Sequence, residues 1–182
     1  MLFNLFGKKD DDTENHVFTD RAYVSTAAKM KACADLAKEK PDTLFICWFP
    51  NTADTFRSYF KLQELDEERV IEARHVHTSK LQGKVPVFTE HYPLHEKETN
   101  LIKNWPGEKI VVYSALDEPL FKHFGSDKLI PLMKMLGMKE EEVIEHSMVS
   151  KSIIKGQEKI AQLVTLEQSA ASQEEWMQKN VK

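Results

Sequence analysis

The sequence predicts an α/β fold: a mostly parallel sheet flanked by helices, followed by C-terminal helices that include one long helix. Three observations predict it. Two apolar runs of strand length, "DTLFICWFP" and "EKIVVYSAL", are bounded by turn residues, the pattern of strands buried on both faces. Amphipathic stretches alternate with these runs, as crossover helices do in a parallel sheet. Beyond Asp117 the strand pattern stops, and apolar residues recur at helical spacing as far as Trp176 and Met177.

In chain order, "TDRAYVSTAAKMKACADLAKEK" places Ala22, Tyr23, Ala27, Met30, Cys33, Ala34 and Ala37 three, four and seven residues apart, which predicts a helix from Thr19 that Pro41 stops. The run ending at Pro50 is the first strand. Asn51 and Thr52 are good caps for a helix that carries Phe56, Tyr59, Phe60 and Leu62 on one side. "RVIEARHVH" and "VPVFTEHYPL" read as two further strands, and "HEKETNLIKNWPG" as a short helix closed by Pro106 and Gly107. After "EKIVVYSAL", Asp117 can cap a helix that ends at Gly125, and Ser126 one that ends at Gly137. Ser147 can then open the long helix on which Val149, Ile153, Ile160, Leu163 and Trp176 share a face. A helix that long cannot bury itself against one small sheet, so these five residues are candidate contacts with a partner or a second copy. The divisions that follow are an N-terminal segment over 1–16, an α/β domain over 17–125 and a helical extension over 126–182.

A chain of 182 residues can bury one ordinary core without disulfides. Its two cysteines, Cys33 and Cys47, come with no secretory leader and no bilayer-length apolar run, so a cytoplasmic protein with reduced thiols is expected. The net charge of -4, without a basic stripe interleaved with aromatics, argues against nucleic acid as partner. At the N-terminus, Leu2, Phe3, Leu5 and Phe6 share an apolar face and precede Lys8 and Lys9. This is either an interfacial anchor at the inner face of the membrane or a frayed terminus.

Catalytic motifs are missing. The six glycines fall in neither a phosphate-cradling loop nor a dinucleotide fingerprint, and the chain has no G-x-S-x-G elbow and no C-x-x-C pair. No cofactor is expected. The one cluster that could hold a divalent metal is His75 and His77, alternating in an expected strand, with His91 and His95 flanking "YPL". That chemistry requires the two strands to lie side by side.

The segment "LDEPLFKHFGSDKLIPLMKMLGMKEEEVIEHSMVSKSIIKGQEKI" resembles the end of the second nucleotide-binding domain of SecA, the preprotein translocase ATPase, and its entry into the scaffold helix. The matching residues are Leu116, Asp117, Glu118, Phe124, Gly125, Asp127, Lys128, Leu136, Gly137, Glu145, Met148 to Ile153, and Gln157. "EEWMQKN" is similar to a later part of the same scaffold helix. Upstream, "DRAYVSTAAKMKACADLAKEKPDTLFICWFPNTADTFRSYFKL" and "HEKETNLI" are similar to the opening and middle of that domain, and "MLFNLFGKK" to the family's lipid-seeking N-terminal helix.

The resemblance implies a RecA-like, helicase-like sheet in shortened form. Between "HEKETNLI" and "EKIVVYSALDE" the family's "G-R-G-T-D" and "Q-L-R-G-R-A-G-R" are lacking, and its Walker-bearing first domain is absent, while "KVPVFTEHYPL" is an extra strand. Both halves of an ATP site are therefore missing. The resemblance implies a non-catalytic accessory factor in preprotein translocation that binds SecA or the translocon, at times on a membrane surface. The alternatives are a small metal-binding module or enzyme around the histidines, or a weak nucleotide sensor.

Overall fold

The computed structural model describes residues 18–105 and 109–182. Five strands form the sheet: β1 (Phe18–Tyr23), β2 (Thr43–Cys47), β3 (Val70–Glu72), β4 (Val85–Phe88) and β5 (Ile110–Ala115). The helices are α1 (Thr26–Glu39), α2 (Pro50–Leu62), α3 (His95–Ile102), α4 (Pro119–His123), α5 (Ser126–Met135), α6 (Ser147–Ala161) and α7 (Gln173–Asn180). Strand order is β1-β5-β4-β2-β3, and every pairing is parallel. This is the RecA-like α/β sheet the sequence predicts.

A parallel sheet is covered on both faces, and the side-chain alternation of its strands shows how. On β2, Phe45 and Cys47 join Phe56 and Phe60 of α2 and Cys33 and Ala37 of α1 in one core. Ile46, pointing the other way, joins Phe88, Val112 and Ile102 of α3 in a second core. Both cysteines are buried and unpaired. Burial pushes the Cys33 thiol up to about 12 and the Cys47 thiol higher still, outweighing the opposite effect of the Thr89 hydroxyl that donates to Cys47 Sγ, so neither is a ready thiolate. A third cluster, Phe49, Leu120, Ile160, Trp176 and Met177, fastens the C-terminal helices over the carboxyl ends of the strands.

Four expectations need correction. Residues 18–23 form edge strand β1 rather than the start of a helix. Pairing with β5 and a stack of Tyr23 on Tyr113, centroids 6.1 Å apart, outweigh the local helical spacing. Helix α1 starts only after Ser25, whose hydroxyl accepts from the Ala28 N–H. The strand expected over residues 69–77 stops at Glu72 and gives way to a 3-10 turn, Ala73–His75. The run expected as a strand over 85–94 is strand only to Phe88, and it lies at the centre of the sheet between β2 and β5.

The fourth correction concerns the C-terminus. The helix that begins at Ser147 ends at Ala161, and Trp176 stands on α7, across a non-helical link of residues 162–172. Two polar devices hold that reversal. The Gln168 N–H donates to Asn180 Oδ1 at 2.6 Å while Asn180 Nδ2 donates back to the Gln168 carbonyl at 2.9 Å. Ser172 caps α7 by accepting from the Glu175 N–H. The caps elsewhere are also redistributed: His146, not Ser147, accepts at the start of α6, and Asp117 serves α1 rather than α4.

Candidate functional site

Open α/β sheets place ligands beyond the carboxyl ends of their strands. Here that edge holds a cleft of about 260 Å³ between the starts of α1, α2, α4 and α7. A helix start presents unpaired N–H groups and attracts anions. The chain fills these positions with its own carboxylates. Asp117 accepts from the Thr26 N–H and hydroxyl at 2.8 and 2.7 Å. Glu90 accepts from the N–H groups of Trp48 and Phe49 and from the Thr52 hydroxyl. Glu118 accepts from the Ala115 N–H and is paired with Lys29, which also donates to the Thr89 carbonyl at 2.6 Å.

Burial works against the Lys29 charge, but Glu118 and Glu90 outweigh it and hold the ammonium above its ordinary value. Burial pushes Glu90 up to about 7; Lys29 opposes the shift and Glu118 adds to it. The cleft is thus acidic, with Glu174 at its mouth and Lys29 as the cation at its base.

The four histidines do not converge. His75 and His77 are exposed on and after the 3-10 turn that replaces the expected strand, so they share no strand face with each other. His91 is 2% exposed and bridges two carboxylates, donating from Nε2 to Asp20 at 2.6 Å and from Nδ1 to Glu98 at 2.9 Å. His95 opens α3, its Nδ1 3.5 Å from the other Glu98 oxygen. Among the described residues no group of three or more His, Cys, Asp or Glu side chains could hold a metal.

What His91 does instead is structural, and no local stretch of sequence shows it, because Asp20 lies 71 positions away. Burial would lower its basicity, but Glu98 and Asp20 outweigh this and keep the imidazolium well above its usual value. Glu98 is held below the usual carboxylate range: burial would raise it, and the His91 charge and hydrogen bonds prevail. Gln157 of α6 donates to Glu98 at 2.8 Å, and Gln173 of α7 donates to the His91 carbonyl at 2.9 Å. The charged centre therefore ties the helical extension to the sheet.

That tie decides where the expected partner residues lie. Ile153, Ile160 and Trp176 are buried within the chain, Val149 is half-buried and Leu163 is exposed. Ile160 and Trp176 cannot face a partner in this arrangement, because the fold-back of α7 covers them. Val149 and Ile153 instead line an apolar groove of about 380 Å³ between α4, α5 and α6, with Leu116, Phe121, Phe124, Leu129 and Met148. Leu129 is 51% and Met148 68% exposed, and Leu132, Met135 and Leu136 extend the apolar surface along α5. Gly125, at φ +83°, makes the sharp turn between α4 and α5. Gly156 lets α6 approach Phe124: a Cβ there would lie 2.8 Å from the ring. The sequence signal for this surface was present in "FG" and "LGM", but helical spacing alone could not say which apolar side chains stay uncovered.

No helix among the described residues is long and apolar enough to cross a membrane. The candidate membrane contacts Leu2, Phe3, Leu5, Phe6, Lys8 and Lys9 lie outside the described residues.

Comparison with known proteins agrees with the motif reading. Over 48 residues the chain is 56% identical to the protein translocase subunit SecA of Acidithiobacillus ferrooxidans. The chain is similar to SecA over this part of its length. The SecA-like stretch makes up 26% of this chain and 5% of that relative. Over 55 residues, 30% of the chain, identity is 51% to SecA of Chlorobium phaeobacteroides and 49% to SecA 1 of Chlorobium chlorochromatii, again 5% of each relative. The chain therefore spans a small fraction of the length of the SecA proteins it matches. No family model matches it.

Proposed function

We propose that this chain is a non-catalytic binding protein of the preprotein translocation machinery and that the groove between α4, α5 and α6 is its docking face. The observation that carries the reading is the groove itself. Residues from Leu116 to Ile153, within the segment whose motifs resemble SecA, build an apolar surface that the other described residues leave uncovered. Exposed apolar surface of this kind marks protein contacts. Its expected partners, by the same resemblance, are SecA or the translocon on the cytoplasmic side of the membrane.

The absence of ATPase chemistry from the reading is supported by the carboxyl-edge cleft. A triphosphate placed there would meet Glu90, Asp117, Glu118 and Glu174, and the helix starts that attract phosphate are already engaged by Asp117 and Glu90. Millimolar ATP or ADP should leave the melting temperature unchanged; a shift would favour the nucleotide-sensor reading.

The deciding experiment uses purified components. The full chain should bind SecA or the reconstituted translocon in a titration, and Leu129→Asp or Met148→Asp should weaken that binding about tenfold or more with circular dichroism unchanged. Absence of binding to both components, or variants that bind as tightly as the unmodified chain, would refute the reading.

A further inference from the structure

The apolar groove has a candidate occupant in the chain itself. Leu2, Phe3, Leu5 and Phe6 form a short apolar segment, and Asp10, Asp11 and Asp12 follow it. The groove offers the complement of both features. Its floor is apolar, and exposed lysines follow its lining residues in the sequence of all three helices. Lys122 adjoins Phe121, Lys128 adjoins Leu129, and Lys155 continues the row of Met148 and Ser152 along α6. None of these three lysines has an ion-pair partner among the described residues, although Asp127 adjoins Lys128, Glu118 lies four residues before Lys122 and Glu158 three after Lys155.

The reach is sufficient. Phe18 opens β1, and at the other end of that strand the Leu116 N–H donates to the Tyr23 carbonyl, which places the groove floor one strand length from Phe18. A strand of this length covers about 20 Å, and the residues between Phe6 and Phe18 extend to roughly 36 Å. We propose that Leu2, Phe3, Leu5 and Phe6 dock in the α4–α5–α6 groove of the same chain, with Asp10 to Asp12 against Lys122, Lys128 and Lys155. The segment then competes with any partner for one surface. Tethering supports occupancy in cis, since a linker that spans its site with little slack gives a high local concentration. The inference builds on the docking face proposed above by naming what regulates it.

Cysteine crosslinking tests it without a partner protein, because Cys33 and Cys47 are buried and do not compete for reagent. Phe6→Cys is combined with Leu129→Cys or, separately, with Met148→Cys, and treated with a short bis-maleimide at low protein concentration. The reference pair is Phe6→Cys with Glu68→Cys, an exposed site at the far edge of the sheet beside β3. Both groove pairs should crosslink within the monomer about tenfold faster than the reference pair. Equal rates would overturn the proposal, as they would if the segment engages only membranes. A product of dimer mass would also overturn it, by assigning the groove to a second copy. Failure here leaves binding to SecA or the translocon intact, whereas loss of that binding with fast crosslinking would refute the partner reading alone.

Discussion

Two surfaces at the same end of the sheet differ in how they satisfy their own chemistry. In the carboxyl-edge cleft the starts of α1 and α2 meet Asp117 and Glu90, α4 meets the Gln173 amide oxygen, and the buried ammonium of Lys29 has both Glu118 and a carbonyl as partners. Across α4, the groove and its extension along α5 leave Leu129, Met135 and Met148 uncovered by the other described residues. The cleft is internally balanced and offers an incoming anion little. The groove retains unburied apolar area, for which each Å² covered by a partner contributes about 25 cal/mol. The difference teaches that position in the fold does not locate the functional surface here; the degree of internal satisfaction does.

The largest expected effect comes from the balanced side. His91→Phe would leave Asp20 and Glu98 buried without their shared cation, costing about 3–5 kcal/mol in a urea titration. The pH dependence carries the same signature. The His91 contribution is complete below its ordinary value of about 6.5 and is lost as pH rises through its elevated folded value. The Glu98 contribution is present above the ordinary carboxylate value and is lost as pH falls through its depressed one. Wild-type stability should therefore be greatest between these limits, and the alkaline decline should flatten in His91→Phe. An unchanged alkaline limb would show that the imidazolium is not what ties α6 and α7 to the sheet.

Next in size, Trp176→Ala should cost about 3–4 kcal/mol, because a fully buried indole is lost from the cluster with Phe49, Leu120 and Ile160. A cost below about 1 kcal/mol, the range of exposed positions, would mean that α7 is free rather than docked. Gly156→Ala sets two effects of similar size against each other. Alanine favours the helix by about 1 kcal/mol, while its Cβ would displace the Phe124 ring from a 2.8 Å approach. Stability should stay within about 1 kcal/mol, and partner affinity should fall because Phe124 lines the groove. The smallest change in stability belongs to Leu129→Asp, within about 0.5 kcal/mol at an exposed site. A large loss of stability there would mean that the groove is core rather than surface.

Parts of this contrast were legible in the sequence. β2 and β5 stood out because their apolar runs contain no charged residue, and the punctuation at Gly125 and Gly137 marked α4 and α5 correctly. β1 was hidden because Asp20 and Arg21 interrupt its apolar pattern. Asp20 is buried against His91, a partner that no local window contains. The break after Ala161 was hidden for a related reason: residues 162–172 contain no Gly or Pro to mark a stop, and only the polar lock between Gln168 and Asn180 reveals the reversal. Of the cleft carboxylates Asp117 was visible as a cap residue, but the helix it caps, α1, is not its neighbour in sequence.

The claim that the α4–α5–α6 groove is the docking face is tested most directly by amide hydrogen exchange of the chain with and without saturating SecA or translocon. Added protection should concentrate in residues 116–130 and 147–155, and the cleft segments around Glu90 and Asn51 should exchange as before. Protection confined to the cleft, with the groove unchanged, would contradict the account.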